Sequence, residues 1–329
     1  MRKILKIFVL ILTLIILICG YSFLTDKTSL TKWNITYKKS NTSGISWSKF
    51  YWAHDSISGR LIEKTAMLIP CTIDGLPNKF ILQFDLGDNV TEIYEKSFNS
   101  FAALHPKLTS KIQRLKSPLQ FWNTKKIVSD ISIEFGNIRI NTKNAFLYKD
   151  YGEEYNNIKN DSTEYRIGTL GADVFQNKVL VIDYPNQRFA ICENVPEEYK
   201  KISFVNTESD NAGRLLLPME MRGKKYKVMF DNGSSLFQLS VSDKRIKEFS
   251  ILPDTDTLQI YAWGKKVKVT GRPLHDSFTL GGQIFSNITV YAVYTEDYLK
   301  NICDAMTGNK LFLDKIIIID FRNKKFGVK

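Results

Sequence analysis

Two short segments of the chain each place an aspartate between an apolar strand and a glycine. The first reads FDLG and contains Asp85, and the second reads FDNG and contains Asp231. Two carboxyl groups held about 3 Å apart cannot both ionise cheaply, so they share one proton, and such a pair can both accept and donate protons. Asp85 and Asp231 are therefore the candidate catalytic residues, provided that the fold brings them together.

The two aspartates lie in copies of one unit. The stretch 69–88 (IPCTIDGLPNKFILQFDLGD) matches 217–235 (LPMEMRGKKYKVMFDNGSS), with a difference of two residues in the hairpin turn. Three further pairs follow in the same order: FWNTKKI with AWGKKV, ISIEFGNIRI with DSFTLGGQIF, and GADVFQNKVLVIDYPNQRFAI with GNKLFLDKIIIIDFRNKKFGV. Four matches in one order indicate an internal duplication.

The elements that position the aspartates are predicted to be β-strands. Short runs rich in Val, Ile, Phe and Tyr alternate with Gly, Asn and Asp clusters, which is typical of an all-β chain. The unbroken apolar runs Val179–Ile182 and Ile316–Ile319 indicate strands covered on both faces. We expect Asp183 and Asp320, which follow these runs, to stabilise turns. The polar segment Lys149–Tyr165 is predicted to be a surface insertion.

At the paired Asp-x-Gly loops the chain resembles the aspartic proteases, the pepsin-like and retropepsin-like superfamily. The resemblance covers roughly residues 62–329 and rests on QFDLGD with the later TLGADVFQNKVLVID, and on MFDNGSS with MTGNKLFLDKIIIID. It implies an all-β, two-lobed pepsin-like fold with one aspartate per lobe at a central cleft. It also implies an aspartic endopeptidase without a cofactor, in which one aspartate activates water and the other donates a proton to the peptide carbonyl.

The resemblance also assigns roles to the residues beside the aspartates. Glycines let the loops turn tightly and approach each other, whereas the threonines that lock the loops together in the family are replaced by Leu86 and Asn232. An additional carboxylate stands where the family has a small residue, and its charge is expected to raise the pKa values of the pair. The residues predicted to support the loops are Gly87, Gly233, Ser234 and Asp88.

A tryptophan in each repeat lies in a segment that suits a hairpin turn. Trp122 belongs to FWNTKK in the first repeat, and Trp263 belongs to AWGKK in the second. In the family a hairpin of the first lobe closes over the substrate with an aromatic residue, which makes Trp122 the candidate flap residue. Both tryptophans can equally be repeated core or surface anchors.

The atypical loops leave two functions open. The first is an exported or membrane-anchored peptidase that acts on peptides or proteins. The second is a catalytically inactive relative whose cleft binds peptides or an envelope partner. The separation of the two carboxyl groups distinguishes them, because hydrogen-bonding proximity supports the enzyme and a wide gap supports the binding protein.

Other functional classes find little support in the composition. The net charge is +12, but Lys and Arg are scattered without an arginine-rich helix or an RNA-binding signature, so a nucleic-acid partner is not expected. No Gly-x-Ser-x-Gly elbow occurs. No metal site is expected, since there is no Cys-x-x-Cys and His54, His105 and His275 are far apart. In an exported protein Cys71 and Cys192, near the ends of the first repeat, are the more plausible disulfide pair.

The N-terminus has the pattern of a membrane anchor or an export signal. Basic residues at positions 2, 3 and 6 precede an apolar run from Ile7 to Cys19, which continues weakly to Leu24. The predicted membrane segment spans residues 4–24. About 18 apolar residues are at the short end for a membrane-spanning helix, and the basic flank predicts a cytoplasmic N-terminus. No Ala-x-Ala-like cleavage site follows, which favours an anchor. The expected location is therefore the cell envelope.

These observations divide the chain into four parts. A membrane anchor or signal segment at 1–25 is followed by an N-terminal extension at 26–61, a first aspartic-protease-like lobe at 62–195 and a second at 196–329. The extension contains three tryptophans, and it either serves as a propeptide or adds a strand to the core.

The first prediction concerns location. The full-length protein should fractionate with membranes, and added protease should degrade most of it from the outer side, because the basic flank retains only the N-terminus in the cytoplasm. Cell fractionation and protease accessibility measure this. Recovery of the full-length chain from the soluble cytosol would contradict the prediction.

Overall fold

A computed structural model describes most of the chain as β-structure, so the all-β expectation is confirmed. Three predicted features lie outside the described residues, namely the hydrophobic segment at 4–24 and the tryptophans at positions 122 and 263. Within the described ranges, no helix is long and apolar enough to cross a membrane. The described ranges are 32–37, 45–115, 125–159, 162–262, 265–293 and 302–329.

The first half of the chain contains twelve described strands and two short helices. The helices are α1 (Glu95–Ala102) and α2 (Pro106–Thr109). The strands are β1 (Asn34–Tyr37), β2 (Ser48–Lys49), β3 (Tyr51–Ile57), β4 (Arg60–Ile73), β5 (Lys79–Phe84), β6 (Glu92–Tyr94), β7 (Ile112–Leu115), β8 (Lys125–Phe135), β9 (Ile138–Tyr148), β10 (Glu164–Leu170), β11 (Val179–Asp183) and β12 (Arg188–Cys192).

The described part of the second half contains thirteen strands and one α-helix, α3 (Ile246–Phe249). Single 3₁₀ turns lie at 172–175, 197–199, 243–245 and 309–311. The strands are β13 (Phe204–Asn206), β14 (Glu208–Ser209), β15 (Leu215–Met221), β16 (Lys224–Phe230), β17 (Leu239–Ser242), β18 (Asp256–Ala262), β19 (Lys265–Leu274), β20 (Phe278–Leu280), β21 (Gln283–Phe285), β22 (Ile288–Val293), β23 (Ala305–Thr307), β24 (Ile316–Asp320) and β25 (Lys325–Val328).

Among the described residues the strands form three sheets, and the duplication is visible in their pairing. A nine-stranded sheet has the order β1-β9-β6-β10-β5-β4-β8-β7, with β3 beside β4. A ten-stranded sheet has the order β18-β19-β22-β17-β23-β16-β15-β20-β21, with β14 beside β15. The strand before Asp85, β5, runs parallel to β10, and the strand before Asp231, β16, runs parallel to β23. Equivalent strands therefore support the two aspartates.

The third sheet joins the two halves symmetrically. It has the order β13-β25-β24-β11-β12-β2, so β11 of the first repeat pairs with β24 of the second. Their register places Val181 opposite Ile318, which are equivalent residues of the two repeats. All five residues of β11 are buried, as the unbroken apolar run predicted. This sheet relates the repeats by an approximate two-fold axis.

The aspartates that end β11 and β24 stabilise turns, as the sequence predicted. The carboxylate of Asp183 accepts the N–H of Asn186 at 3.2 Å and the Nε of Arg188 at 2.8 Å. Asp320 accepts the N–H of Asn323 at 2.9 Å. Both side chains are buried, and these hydrogen bonds satisfy the carboxylates, so neither is left free for catalysis.

The described residues of the N-terminal extension are part of the folded core. Strands β1, β2 and β3 pair with β9, β12 and β4 respectively. Trp33 is only 8% exposed, and its indole Nε1 donates a hydrogen bond to Asp173 at 2.9 Å. The described part of the extension therefore adds strands to two sheets.

The disulfide prediction is wrong, since the thiols of Cys71 and Cys192 are both free and the two residues lie in different sheets. Cys71 lies opposite Phe80 in the nine-stranded sheet, and Cys192 lies opposite Val179 in the six-stranded sheet. Both thiols are free, as is the thiol of Cys303.

The predicted surface insertion 149–165 is only partly superficial. Its polar residues Glu153 and Glu154 are exposed, whereas Tyr155 and Ile158 pack against the hydrophobic core. The aromatic and aliphatic side chains therefore anchor an otherwise polar loop.

The second prediction concerns the extension. Trp33→Ala removes a buried ring and the hydrogen bond to Asp173, so the free energy of unfolding should fall by about 3–5 kcal/mol. Denaturant unfolding measures the change. The control Tyr37→Ala, in the same segment, removes a ring that is 36% exposed and should cost much less. Equal losses in both variants would show that the extension is not specifically anchored through the indole.

Candidate active site

Asp85 and Asp231 occupy equivalent positions directly after strands β5 and β16. The N–H of Asp85 donates to the carbonyl oxygen of Leu170 at 3.0 Å, and the N–H of Asp231 donates to that of Thr307 at 2.8 Å. The acceptors end strands β10 and β23, so the parallel pairs hold both loops. The two carboxyl groups are within hydrogen-bonding reach of each other. Asp85 is buried and Asp231 is partly buried.

Each carboxyl group packs against the glycine of the opposite loop. A Cβ atom at Gly87 would lie 2.4 Å from Cγ of Asp231, and one at Gly233 would lie 2.2 Å from Cγ of Asp85. Real Cβ atoms do not come this close to other heavy atoms, so any other residue would push the carboxyl groups away. The two glycines predicted to support the loops therefore permit the contact between the aspartates.

Backbone N–H groups within each loop orient the carboxylates. Oδ1 of Asp85 accepts the N–H groups of Gly87 at 3.0 Å and of Asp88 at 3.2 Å. Oδ1 of Asp231 accepts the N–H of Gly233 at 2.9 Å. These bonds fix the Oδ1 atom of each carboxyl group, because a carboxylate that accepts backbone N–H groups cannot rotate freely.

One hydrogen bond between side chain and backbone connects the loops. Oδ1 of Asn232 accepts the N–H of Leu86 at 2.5 Å, and Nδ2 of Asn232 contacts Sδ of Met67 at 3.7 Å. Leu86 has no polar side chain with which to reciprocate and is almost fully buried. The connection is therefore one-sided, from the second loop to the first.

A buried amide that sequence reasoning missed supports this connection. Nδ2 of Asn309 donates at 2.6 Å both to the carbonyl oxygen of Asn232 and to Oγ of Ser235. Its Oδ1 accepts the hydroxyl of Tyr184 at 2.5 Å. The sequence did contain a signal, since Asn309 stands where the first repeat has an alanine. Tyr184 of the first repeat thereby supports the Asp231 loop of the second.

Burial and mutual proximity perturb the titration of the pair. Burial raises the pKa of the Asp85 carboxyl, although hydrogen bonds from Asp231 and from loop N–H groups oppose this. Burial, followed by the charge of Asp85, raises the pKa of Asp231 well above its ordinary value. Both pKa values are therefore raised, that of Asp231 strongly, and the pair resists ionisation of both carboxyl groups together.

Three further carboxyl groups lie beside the first loop. Burial raises the pKa of Asp88 to about 7 and that of Asp173 to about 6. Burial and the charge of Asp88 raise the pKa of Glu92 to about 8. The carboxyl group of Asp173 accepts hydrogen bonds from the backbone N–H of Thr91 at 2.8 Å and from its hydroxyl at 2.6 Å, and these bonds stabilise the loop. No grouping suited to a metal ion occurs among the residues that the structure describes.

The remaining predicted loop residue, Ser234, supports the loop through its backbone, because its N–H donates to the carbonyl oxygen of Asp231 at 3.1 Å. Strands β7 and β8, which flank the segment that contains Trp122, are described as far as Leu115 and from Lys125 onward.

No protein-family model matches the chain, and a search of curated proteins likewise found no match. The interpretation of the site therefore rests on the duplication and on the geometry of the pair.

The third prediction concerns the connection between the loops. Asn232→Leu removes the acceptor of the Leu86 N–H and leaves this buried donor unsatisfied, so the free energy of unfolding should fall by about 1–3 kcal/mol. Chemical denaturation measures the loss. Asn156→Leu, at an exposed position, is the matched control and should change stability by less than about 0.5 kcal/mol. An Asn232→Leu variant as stable as this control would refute the role of the hydrogen bond.

Proposed function

We propose that the protein is an aspartic-type peptidase with a two-lobed, pepsin-like fold, held in or exported to the cell envelope. The observation that carries the proposal is the contact between the carboxyl groups of Asp85 and Asp231, which arrive from equivalent strands of a duplicated unit. Residues 62–195 and 196–329 form the two lobes, and the substrate is a peptide or protein segment that enters the cleft between them.

The strongly raised pKa of Asp231 supports a water-mediated mechanism in which Asp231 carries the proton of the pair. A water molecule hydrogen-bonded to both carboxyl groups gives a proton to ionised Asp85 while its oxygen attacks the peptide carbonyl carbon. Asp231 donates its proton to the carbonyl oxygen, which forms a neutral tetrahedral diol. Asp85 then protonates the leaving nitrogen, the C–N bond breaks, and a diol hydroxyl returns a proton to Asp231.

The loops also supply the rigidity that this chemistry requires. A catalytic pair tolerates displacements of only about 0.5 Å. The glycine contacts, the backbone N–H bonds to Oδ1 and the Asn232 bridge each restrict the carboxyl groups. These contacts support a preorganised site, in which no side chain must be moved before water is activated.

A second candidate is a catalytically inactive relative that binds peptides in the same cleft. Leu86, which cannot return the hydrogen bond of Asn232, and the additional carboxyl group of Asp88 favour this reading. The hydrogen-bonding proximity of the two aspartates favours the enzyme, because a binding protein has no need to bury two acids in contact.

The fourth prediction tests the pair directly. Asp85→Asn and Asp231→Asn keep the size of the side chains but remove one titrating group, so each should lower kcat by more than about 100-fold. The wild-type protein should show a bell-shaped pH profile whose limbs report the coupled pair. Cleavage of a peptide library from acid to neutral pH measures both effects. Full activity in both Asn variants would exclude the mechanism, and a folded wild type without activity at any pH would favour the binding protein.

The fifth prediction concerns the additional carboxyl group. Burial raises the pKa of Asp88 to about 7, so Asp88 is neutral in acid and becomes charged near neutrality. Its charge then opposes loss of the last proton of the pair and raises the upper apparent pKa. Asp88→Ser should therefore move the alkaline limb toward acid and leave the acid limb unchanged. Asp314→Ser, at an exposed position, is the control, and equal profiles for both variants would remove Asp88 from the electrostatics of the site.

A further inference from the structure

An arginine lies beside the carboxyl pair on the same face of the nine-stranded sheet. Along β5, the side chains of Phe80, Leu82 and Phe84 are fully buried on one face. Ile81 and Gln83 are only partly buried on the opposite face, and Asp85 follows Gln83 by two residues. In the parallel register of β10, Arg166 pairs with Ile81 and Thr169 pairs with Gln83. Because paired residues share a face, Arg166 projects from the face that carries Asp85.

The contacts of Arg166 are with neutral groups. Its Nη2 donates to Oε1 of Gln83, and its guanidinium lies 6.0 Å from the ring centroid of Tyr94. Its Nε atom is buried and has no hydrogen-bond partner. The amide oxygen and the aromatic ring hold the side chain in place without neutralising its charge.

The other half-buried arginines of the described chain all form ion pairs. No carboxylate lies within ion-pair distance of Arg166 in the described ranges. A half-buried guanidinium without an acid partner is costly, so its retention calls for an anion from another source. The five paired arginines are Arg139 with Asp74, Arg188 with Asp183, Arg214 with Asp210, Arg245 with Glu248 and Asp304, and Arg272 with Asp254.

Three acids on the same face could compete for Arg166, and none neutralises it. Glu164 accepts the hydroxyl of Tyr51 at 2.7 Å. Burial raises the pKa of Glu92 to about 8, so this residue is mostly protonated at neutral pH. Asp85 feels the charge of Arg166 but directs its oxygens to Asp231 and to its own loop. The guanidinium therefore keeps N–H donors for a further acceptor.

We propose that Arg166 determines the substrate specificity of the site by binding a carboxylate of the substrate on the first-repeat side of the carboxyl pair. The planar guanidinium matches a carboxylate with two parallel hydrogen bonds. The carboxylate is supplied by an acidic side chain near the scissile bond or by the C-terminus of a short peptide. This inference rests on the proposed peptidase function.

The experiment compares matched peptides that differ only in Glu or Gln at each position around one bond, with free or amidated C-termini. The full-length protein should prefer Glu over Gln at one position by about 10- to 100-fold in kcat/KM. Arg166→Gln should abolish this preference, so that the Glu and Gln peptides are cleaved with equal kcat/KM. Arg166→Lys should retain part of it, and Arg139→Gln, at a paired arginine of the same lobe, should retain all of it. A preference that depends on a free C-terminus instead identifies the terminal carboxylate as the ligand.

Two results would overturn the inference. In the first, Arg166→Gln lowers cleavage of Glu and Gln peptides equally and shifts the pH profile, which would make Arg166 a counter-ion of Asp85 only. In the second, the active wild type shows no preference for a carboxylate at any position. Thermal unfolding of Arg166→Gln verifies that the variant is folded.

A binding measurement separates this inference from the peptidase proposal. Fluorescence anisotropy with the Asp231→Asn variant compares Glu and Gln peptides without turnover. If the wild type cleaves nothing, the peptidase proposal fails, but tighter binding of the Glu peptide that is lost on adding Arg166→Gln still supports the carboxylate site. Equal binding of both peptides would overturn it.

Discussion

The carboxyl groups of Asp85 and Asp231 are packed against each other, and this contact is favourable only while the pair holds a proton. Several features of the fold position this contact. Equivalent parallel strand pairs hold the two loops, and the pairing of Val181 with Ile318 in the shared sheet relates the two repeats by an approximate two-fold axis. The glycine of each loop leaves the space that the opposite carboxyl group fills. A duplicated unit can form such a pair, because each copy places one aspartate at the end of an equivalent strand.

The two copies have diverged in how they hold the pair. The first loop contributes only a backbone N–H, from Leu86, whereas the second contributes the side chain of Asn232. Asn309 and Tyr184 extend this support, so that a tyrosine of the first repeat ends in contact with the second loop through a buried amide. Fully satisfied buried networks of this kind restrict geometry more than isolated bonds do. The two loops are thus connected by an asymmetric chain of hydrogen bonds.

Charge around the pair is also unevenly distributed. The first repeat carries buried acids with raised pKa values, of which Asp173 is held by Thr91 and by Trp33 from the N-terminal extension. It also carries Arg166, whose described contacts are neutral. Low local polarity strengthens every interaction among these groups. The charged groups described around the pair therefore belong mainly to the first repeat and to the segment that precedes it.

The sequence by itself determined the all-β class, the duplication, the pairing of Asp85 with Asp231 and the turn roles of Asp183 and Asp320, because these follow from local periodicity and from matched positions. Only the tertiary structure decided which strands the extension joins, why Cys71 does not meet the cysteine at position 192, and which amide supports the second loop. It also brought a guanidinium of β10 to the face of β5. Such contacts join residues far apart in the chain, and strand register and sheet order, which local pattern does not encode, determine which side chains meet.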